Sequence, residues 1–390
     1  MTTSDFPHLK AAIEDGMSIG LHIGAVVHVR RHGSVIADFA VGYAELSPQP
    51  APLRTDQKLL WLSAGKPVTA IALGLLHDQH ELRWHDRVTR FVPEFGQNGK
   101  QDITLHHLLT HTAALKSPLL DWPRMTRENV IAQICAAPML DGRVPSERAG
   151  YDPQCNWYIL SEIIERITDT PHQDFARKEI LDPIGCIEAS IGMEPDRWTE
   201  LRERGDIAVL HDTVNSARGR VNVLESNAEQ TDLPGPWAGD DALRASAFNP
   251  SGGVMGRAAD LSKLYSFLLS EGCTDSGQTL LRPETVATMT SRQREGMNDK
   301  TFGGLVIDWG YGFLINSYKY GAPGLPYSYG RYASDATFGH GGMQSSAGFG
   351  DPVNGLAGGV IFNGLPSEPK HQKRILDAMS ALYQDIGLAD

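Results

Sequence analysis

A chain of 390 residues exceeds the size at which one simple hydrophobic core stops growing, so two packed lobes are expected. Hydrophobic residues at 41% and charged residues at 21% fit a globular protein rather than a disordered one. A formal net charge of -12 without any basic run argues against nucleic acid or an anionic membrane as partner, and no stretch reaches the roughly 18 apolar residues of a membrane span.

In chain order, the polar opening with Asp5 lacks the basic and apolar regions of a secretory signal. Cys135, Cys155, Cys186 and Cys273 are widely spaced and suggest neither zinc nor a disulfide framework, so a reduced, cytoplasmic setting is expected. Residues 23–43 give two β-rich runs that turn at Arg31-His32-Gly33, a predicted hairpin. Apolar residues at three- and four-residue spacing then predict helices over 67–79, 128–137, 156–168 and 258–272. Between 192 and 248 the pattern loosens into charged and Pro/Gly-containing sequence, a surface excursion or a loop over a site. A second hairpin is predicted from SSAGFGDP and LAGGVIFNG, joined through Asp351-Pro352-Val353-Asn354-Gly355, and a helix from about Pro369 to Ile386 closes the chain. Strands near both ends suggest one shared sheet. The expected organisation is an α+β protein, with 1–62 and 250–390 forming an α/β lobe and 63–249 a mostly helical lobe.

The chemistry-bearing residues start at WLSAGKPVTAIALGLL, where Ser63 and Lys66 stand three apart at the head of an apolar helix and share one face. A serine hydroxyl needs a base within reach, and a partly desolvated lysine is neutral enough to serve. The spacing alone is weak, because Ser367-Glu368-Pro369-Lys370 repeats it, there with Ser367 as a capping or turn residue. Tyr151 lies in a turn marked by Gly150 and Pro153, and a tyrosine beside an ammonium group can have its pKa lowered and act as a base. His340-Gly341-Gly342 precedes a predicted strand, where glycines let backbone approach a ligand and Met343 could donate its N–H.

The order of these motifs resembles the serine β-lactamase and penicillin-binding-protein superfamily, particularly the class C β-lactamase-like (family VIII) esterases. LRWHDRVTRFVPEF, ITLHHLLTHTAAL, NPSGGVMGRAADLSKLY and LLRPETVATM look like that family's connecting segments, so the resemblance spans most of the chain. It implies a β-lactamase/transpeptidase-like fold, an antiparallel sheet flanked by helices plus a mostly helical lobe. It also implies an acyl-enzyme on Ser63, activation by Lys66 and Tyr151, and an oxyanion hole from the Ser63 and Met343 N–H groups. Two positions depart from the pattern. The family's Tyr-x-Asn reads Tyr151-Asp152-Pro153 here, with Asn156 one turn on. His340 stands where β-lactamases carry the lysine that supports recognition of the substrate carboxylate, which disfavours β-lactams as substrates.

The expected activity is hydrolysis of a small or medium ester or amide without metal or other cofactor. The rival is transfer of the acyl group to an amine or alcohol, and a catalytically silent binding protein is a third reading. Sequence does not separate hydrolysis from transfer, nor assign the formal base between the coupled Lys66 and Tyr151. His106, His107 and His111 lack a completing carboxylate or cysteine for a metal site, and Cys155 reads as an inert buried thiol. Among Trp122, Trp157, Trp237 and Trp309, Trp237 is the candidate pocket residue because its loop is otherwise polar.

Overall fold

The computed structural model describes residues 5–121, 124–140, 144–214, 242–321 and 329–389. Trp122 and Trp237 lie outside them, as does the middle of the irregular stretch, residues 215–241. The strands β1 (Gly24–Arg31), β2 (Ser34–Glu45), β3 (Ala51–Pro52), β4 (Asp308–Trp309), β5 (Leu314–Ile315), β6 (Phe338–Gly341), β7 (Ser346–Asp351) and β8 (Leu356–Phe362) form one sheet. Their order is β4-β5-β6-β7-β8-β1-β2-β3, antiparallel throughout. Both predicted hairpins are present. The first turns at His32 and Gly33, whose φ values of 47° and 79° are the left-handed pair that a two-residue hairpin requires.

Alternation along β1 sends its residues to two different cores. Ala25, Val27 and Val29 meet Phe6, Leu9, Ile13, Ile375 and Met379 of the N-terminal segment and the last helix. Val26, on the opposite face, belongs to the larger core that also contains Leu261, Leu264 and Tyr265. The helices flanking the sheet are therefore α1 (Pro7–Ser18) and α6 (Glu368–Asp385) on one side and α5 (Ala258–Leu269) on the other. Close approach of α5 depends on small residues in the strands: a Cβ on Gly348 would lie 2.3 Å from the Tyr265 ring.

The remaining predicted helices are α2 (Lys66–Asp78), α3 (Arg127–Ala136) and α4 (Cys155–Thr168), each close to its expected span. Helix α2 is buried on nearly every side, in keeping with its run of Val68, Ala70, Ile71, Ala72, Leu73, Leu75 and Leu76. The second copy of the Ser-x-x-Lys spacing opens α6, where Ser367 takes the cap position without a side-chain capping bond. Among the described residues no helix is long and apolar enough to cross a membrane.

Gly348→Ala should push α5 off the sheet and lower stability by about 1–3 kcal/mol, the usual cost of overpacking a closed contact. Urea denaturation followed by circular dichroism measures it, and an unchanged midpoint would show that α5 does not rest on Gly348.

Candidate active site

A small three-stranded sheet sets up the turn that carries Ser63. Leu59–Leu60 and Ser190–Ile191 both pair antiparallel with Val254–Gly256. The next residue, Trp61, is held from three directions: its N–H donates to Val254 O at 2.8 Å, its indole N–H to Gly256 O at 3.0 Å, and its carbonyl accepts from Ser346 Oγ at 2.7 Å. Leu62 then adopts a left-handed φ of 53°, unusual for a bulky side chain, and a single 3-10 turn over Leu62–Gly65 delivers Ser63 half-buried beside α2. Gly342 must be glycine for this to close, because a Cβ there would fall 2.3 Å from both the Trp61 carbonyl and Ser346 Oγ.

Lys66 heads α2 fully out of contact with solvent. Its Nζ lies 2.9 Å from Ser63 Oγ and donates to the Ser251 carbonyl. Burial pushes its pKa down to about 7, with Asp152 opposing the shift. No carboxylate forms an ion pair with it among the described residues, and the amine is therefore poised between its charged and neutral forms near neutral pH.

The Tyr151 hydroxyl lies 3.1 Å from Ser63 Oγ. The ring is stacked between Phe302 and Trp309, with centroids at 5.3 and 5.6 Å. Its backbone is clamped on both sides. Tyr151 N–H donates to Asp299 Oδ1 at 3.0 Å and its carbonyl accepts from Thr301 Oγ1 at 2.9 Å. Gly150 N–H donates to the His111 carbonyl at 3.0 Å and Asp152 N–H to His111 Nδ1 at 3.1 Å. His111 can accept there because burial, reinforced by Arg294, His340 and Lys66, drives its pKa well below the ordinary value and leaves it neutral. Asp299 is anchored in turn by Arg294 at 3.0 Å, both side chains buried, with the guanidinium over the Trp309 ring.

One expectation is corrected by this environment. The Tyr151 hydroxyl is pushed up, not down: burial outweighs the hydrogen bond with Ser63, and a lysine held near its neutral point supplies little compensating charge. At neutral pH it is a phenol.

His340 is fully buried, its Nδ1 2.8 Å from the Gly341 carbonyl, its ring packed against Trp309 and Tyr151 at 5.6 and 6.0 Å. Burial, then Lys66, pushes its pKa down to about 3, so it is a neutral ring at the back of the site. Gly341 ends β6, Gly342 N–H donates to Ser346 O at 2.8 Å, and Met343 stands partly exposed at the cleft, its N–H without a hydrogen-bond partner among the described residues. A cavity of about 300 Å³ joins Ser63 to Met343, Arg244, Asn249 and Pro153.

Asp152 caps α4, accepting from Gln154 N–H at 2.8 Å and Cys155 N–H at 2.7 Å, and takes a hydrogen bond from Ser117 as well. Asn156 is buried and donates to the Leu108 carbonyl at 2.9 Å, which ties α4 to the 105–109 helix. Of the other histidines, His106 meets the Tyr311 hydroxyl at 3.1 Å and His107 closes a capping box with Thr104. Cys155 is buried and its thiol pushed up. Trp157 lies under Lys66, 5.5 Å from Nζ. The residues that sequence reasoning did not single out are those that hold the others: Ser251, Ser346, Asp299, Arg294 and Thr301. Only the turn-rich Asn249-Pro250-Ser251-Gly252-Gly253 carried a local signal.

An antiparallel sheet flanked by helices, with a serine, a lysine and a tyrosine brought together at its edge, is the β-lactamase/transpeptidase-like architecture. The chain belongs to the Beta-lactamase family, whose model matches residues 9–382. It is 26% identical over 326 residues to esterase EstB of Burkholderia gladioli, covering 78% of each chain. A penicillin-binding protein homologue from Caulobacter crescentus superposes with a TM-score of 0.75 at 24% identity, over 97% of both chains. EstCE1, described as a hydrolase with promiscuous acyltransferase activity, superposes with a TM-score of 0.76 at 19% identity, over 97% of this chain and 99% of that one.

Arg294→Gln should leave Asp299 buried and unpaired and lower stability by about 3–5 kcal/mol, the range for breaking one side of a buried ion pair. Thermal and urea unfolding read this directly, and a change below about 1 kcal/mol would mean that the pair is solvated, as surface pairs are.

Proposed function

We propose that the protein is a serine hydrolase that forms an acyl-enzyme on Ser63 and cleaves a carboxylic ester, or an amide, of a small to medium substrate. The observation that carries this is the convergence of Lys66 Nζ and Tyr151 OH on one hydroxyl oxygen, at 2.9 and 3.1 Å, with the lysine pushed down to about 7. In its neutral form Lys66 accepts the Ser63 proton as Oγ attacks the carbonyl carbon. The tetrahedral oxyanion is stabilised by the N–H groups of Ser63 and Met343. Collapse expels the alcohol or amine, which takes up a proton through the Tyr151 phenol and Lys66. Water then attacks the acyl-enzyme with the same groups acting in reverse, and Ser63 is regenerated.

Kinship to esterases supports the ester reading, and the neutral, buried His340 offers no cation for the carboxylate of a β-lactam. Transfer of the acyl group to an amine or alcohol is the second reading, favoured by the acyltransferase activity named for EstCE1. The close Ser63, Lys66 and Tyr151 contacts argue against a silent binding protein, and the four free cysteines suit a cytoplasmic setting.

A fluorophosphonate should add to Ser63 of the folded protein and not to Ser63→Ala, as read by intact mass; no adduct on the native chain would favour the silent reading. Hydrolysis of p-nitrophenyl butyrate should fall by about 100-fold to 10,000-fold in Tyr151→Phe, the span for loss of a general acid–base group. Aminolysis that persists with added amines while hydrolysis stays negligible would replace hydrolase by transferase.

The pH dependence has a definite sign. Lys66 is competent as a base only when neutral, and its pKa is lowered, so kcat/KM should rise with pH through about 7 and level off above it. A rate profile that falls across this window would remove Lys66 from the base role.

A further inference from the structure

Beside Tyr151 lies a second cavity, of about 420 Å³. Pro153 lines both this cavity and the one that holds Ser63, and Tyr151, which lines this one, has its hydroxyl 3.1 Å from Ser63 Oγ, so the two cavities are neighbours. Its walls include Ala113, Leu115 and Leu140, which suit a short carbon chain. Among the described residues, the charged ones that line it are Lys116, Arg148, Lys300 and one carboxylate, Asp152. The carboxylate is already engaged, accepting from Gln154 N–H, Cys155 N–H and Ser117 Oγ. Lys116, Arg148 and Lys300 are exposed at the cavity, and neither Lys116 nor Arg148 forms an ion pair with any described residue. In a chain with 47 acidic against 35 basic residues, three cations around one cavity are a local reversal of charge.

We infer that this cavity receives a carboxylate carried by the substrate, so that the preferred substrates are anionic esters rather than neutral ones. The inference rests on the proposed acyl chemistry at Ser63 and names its substrate class. A carboxylate on a short apolar arm would run along the Ala113 and Leu140 wall and end among the guanidinium and ammonium groups, where charge-assisted hydrogen bonds form. Placement of the arm on the acid part or on the alcohol part of the ester is separated by experiment.

Two substrate pairs supply the test. The mono-p-nitrophenyl ester of glutaric acid against p-nitrophenyl pentanoate puts the charge on the acyl arm, and 4-carboxyphenyl butyrate against phenyl butyrate puts it on the alcohol arm. One pair should show a ratio of kcat/KM, anionic over neutral, of about ten or more, the worth of a hydrogen bond to a charged group. That ratio should drop by about tenfold in Arg148→Glu and in Lys300→Glu, and in the native chain it should shrink as salt screens the charges. Since the neutral ester is the denominator, a general loss of activity does not imitate the effect. Ratios near one for both pairs, or ratios that ignore the two charge reversals, would overturn the inference while leaving ester hydrolysis standing. If no ester is turned over, the proposed function fails, and calorimetry still decides the inference. Ser63→Ala should bind monoethyl glutarate or 4-carboxyphenyl butyrate more tightly than the matched neutral ester, and equal or weaker binding of both would overturn it.

Discussion

The site depends on keeping one amine dry. Lys66 is anchored at the head of an almost wholly buried helix, with the Ser251 carbonyl and Ser63 Oγ as its hydrogen-bond partners. Water or a carboxylate in contact would restore the ordinary lysine pKa and leave a permanent ammonium, which cannot accept a proton. Much of the surrounding chemistry follows from that exclusion. His111 and His340 are neutral in the same dry volume, and Tyr151 stays protonated. Lys66, His111 and His340 are each held there by a hydrogen bond to backbone, so that desolvation does not become disorder.

Position is supplied separately from reactivity. Ser63 is held through Trp61, whose carbonyl is fixed by Ser346 from the sheet and whose indole is fixed by Gly256. Tyr151 is held through its backbone by Asp299, Thr301 and His111, with Arg294 behind them. Ser63 and Tyr151 therefore rest on different supports and converge on one oxygen. A buried ion pair such as Arg294–Asp299 adds little net stability over an apolar pair, but it fixes direction, which is what a tyrosine in a turn requires.

What could be read in the sequence divides along physical lines. Periodicity identified α2, α3, α4, α5 and α6, and turn chemistry identified both hairpins, because these signals are local. Ser63, Lys66, Tyr151 and the His340 segment were legible as motifs, and the structure brings them within one site. The strands of two or three residues at 59–60, 190–191 and 254–256 left no pattern, since a pairing so short is set by tertiary packing alone. The direction of the Tyr151 shift was misjudged because adjacency to a lysine was visible and the burial that neutralises the lysine was not. Arg294 and Asp299 resemble any surface pair in sequence, and only their burial makes them supports.

The sheet order has a consequence for how the protein comes to exist at all. Strand β1 pairs with β8, so that Val26 lies opposite Ile361 in the ladder, across nearly the full length of the chain. During synthesis the first hairpin emerges with one edge unsatisfied, and its partner, the strand Leu356–Phe362, follows only much later. Closing so long a loop has to precede the contacts that reward it, which makes for slow assembly of the sheet. Gly342 and Ser346, which hold the turn that carries Ser63, lie on the same late segment. A chain made only as far as β1, β2 and α2 would thus contain Ser63 and Lys66 without the contacts that shape their turn.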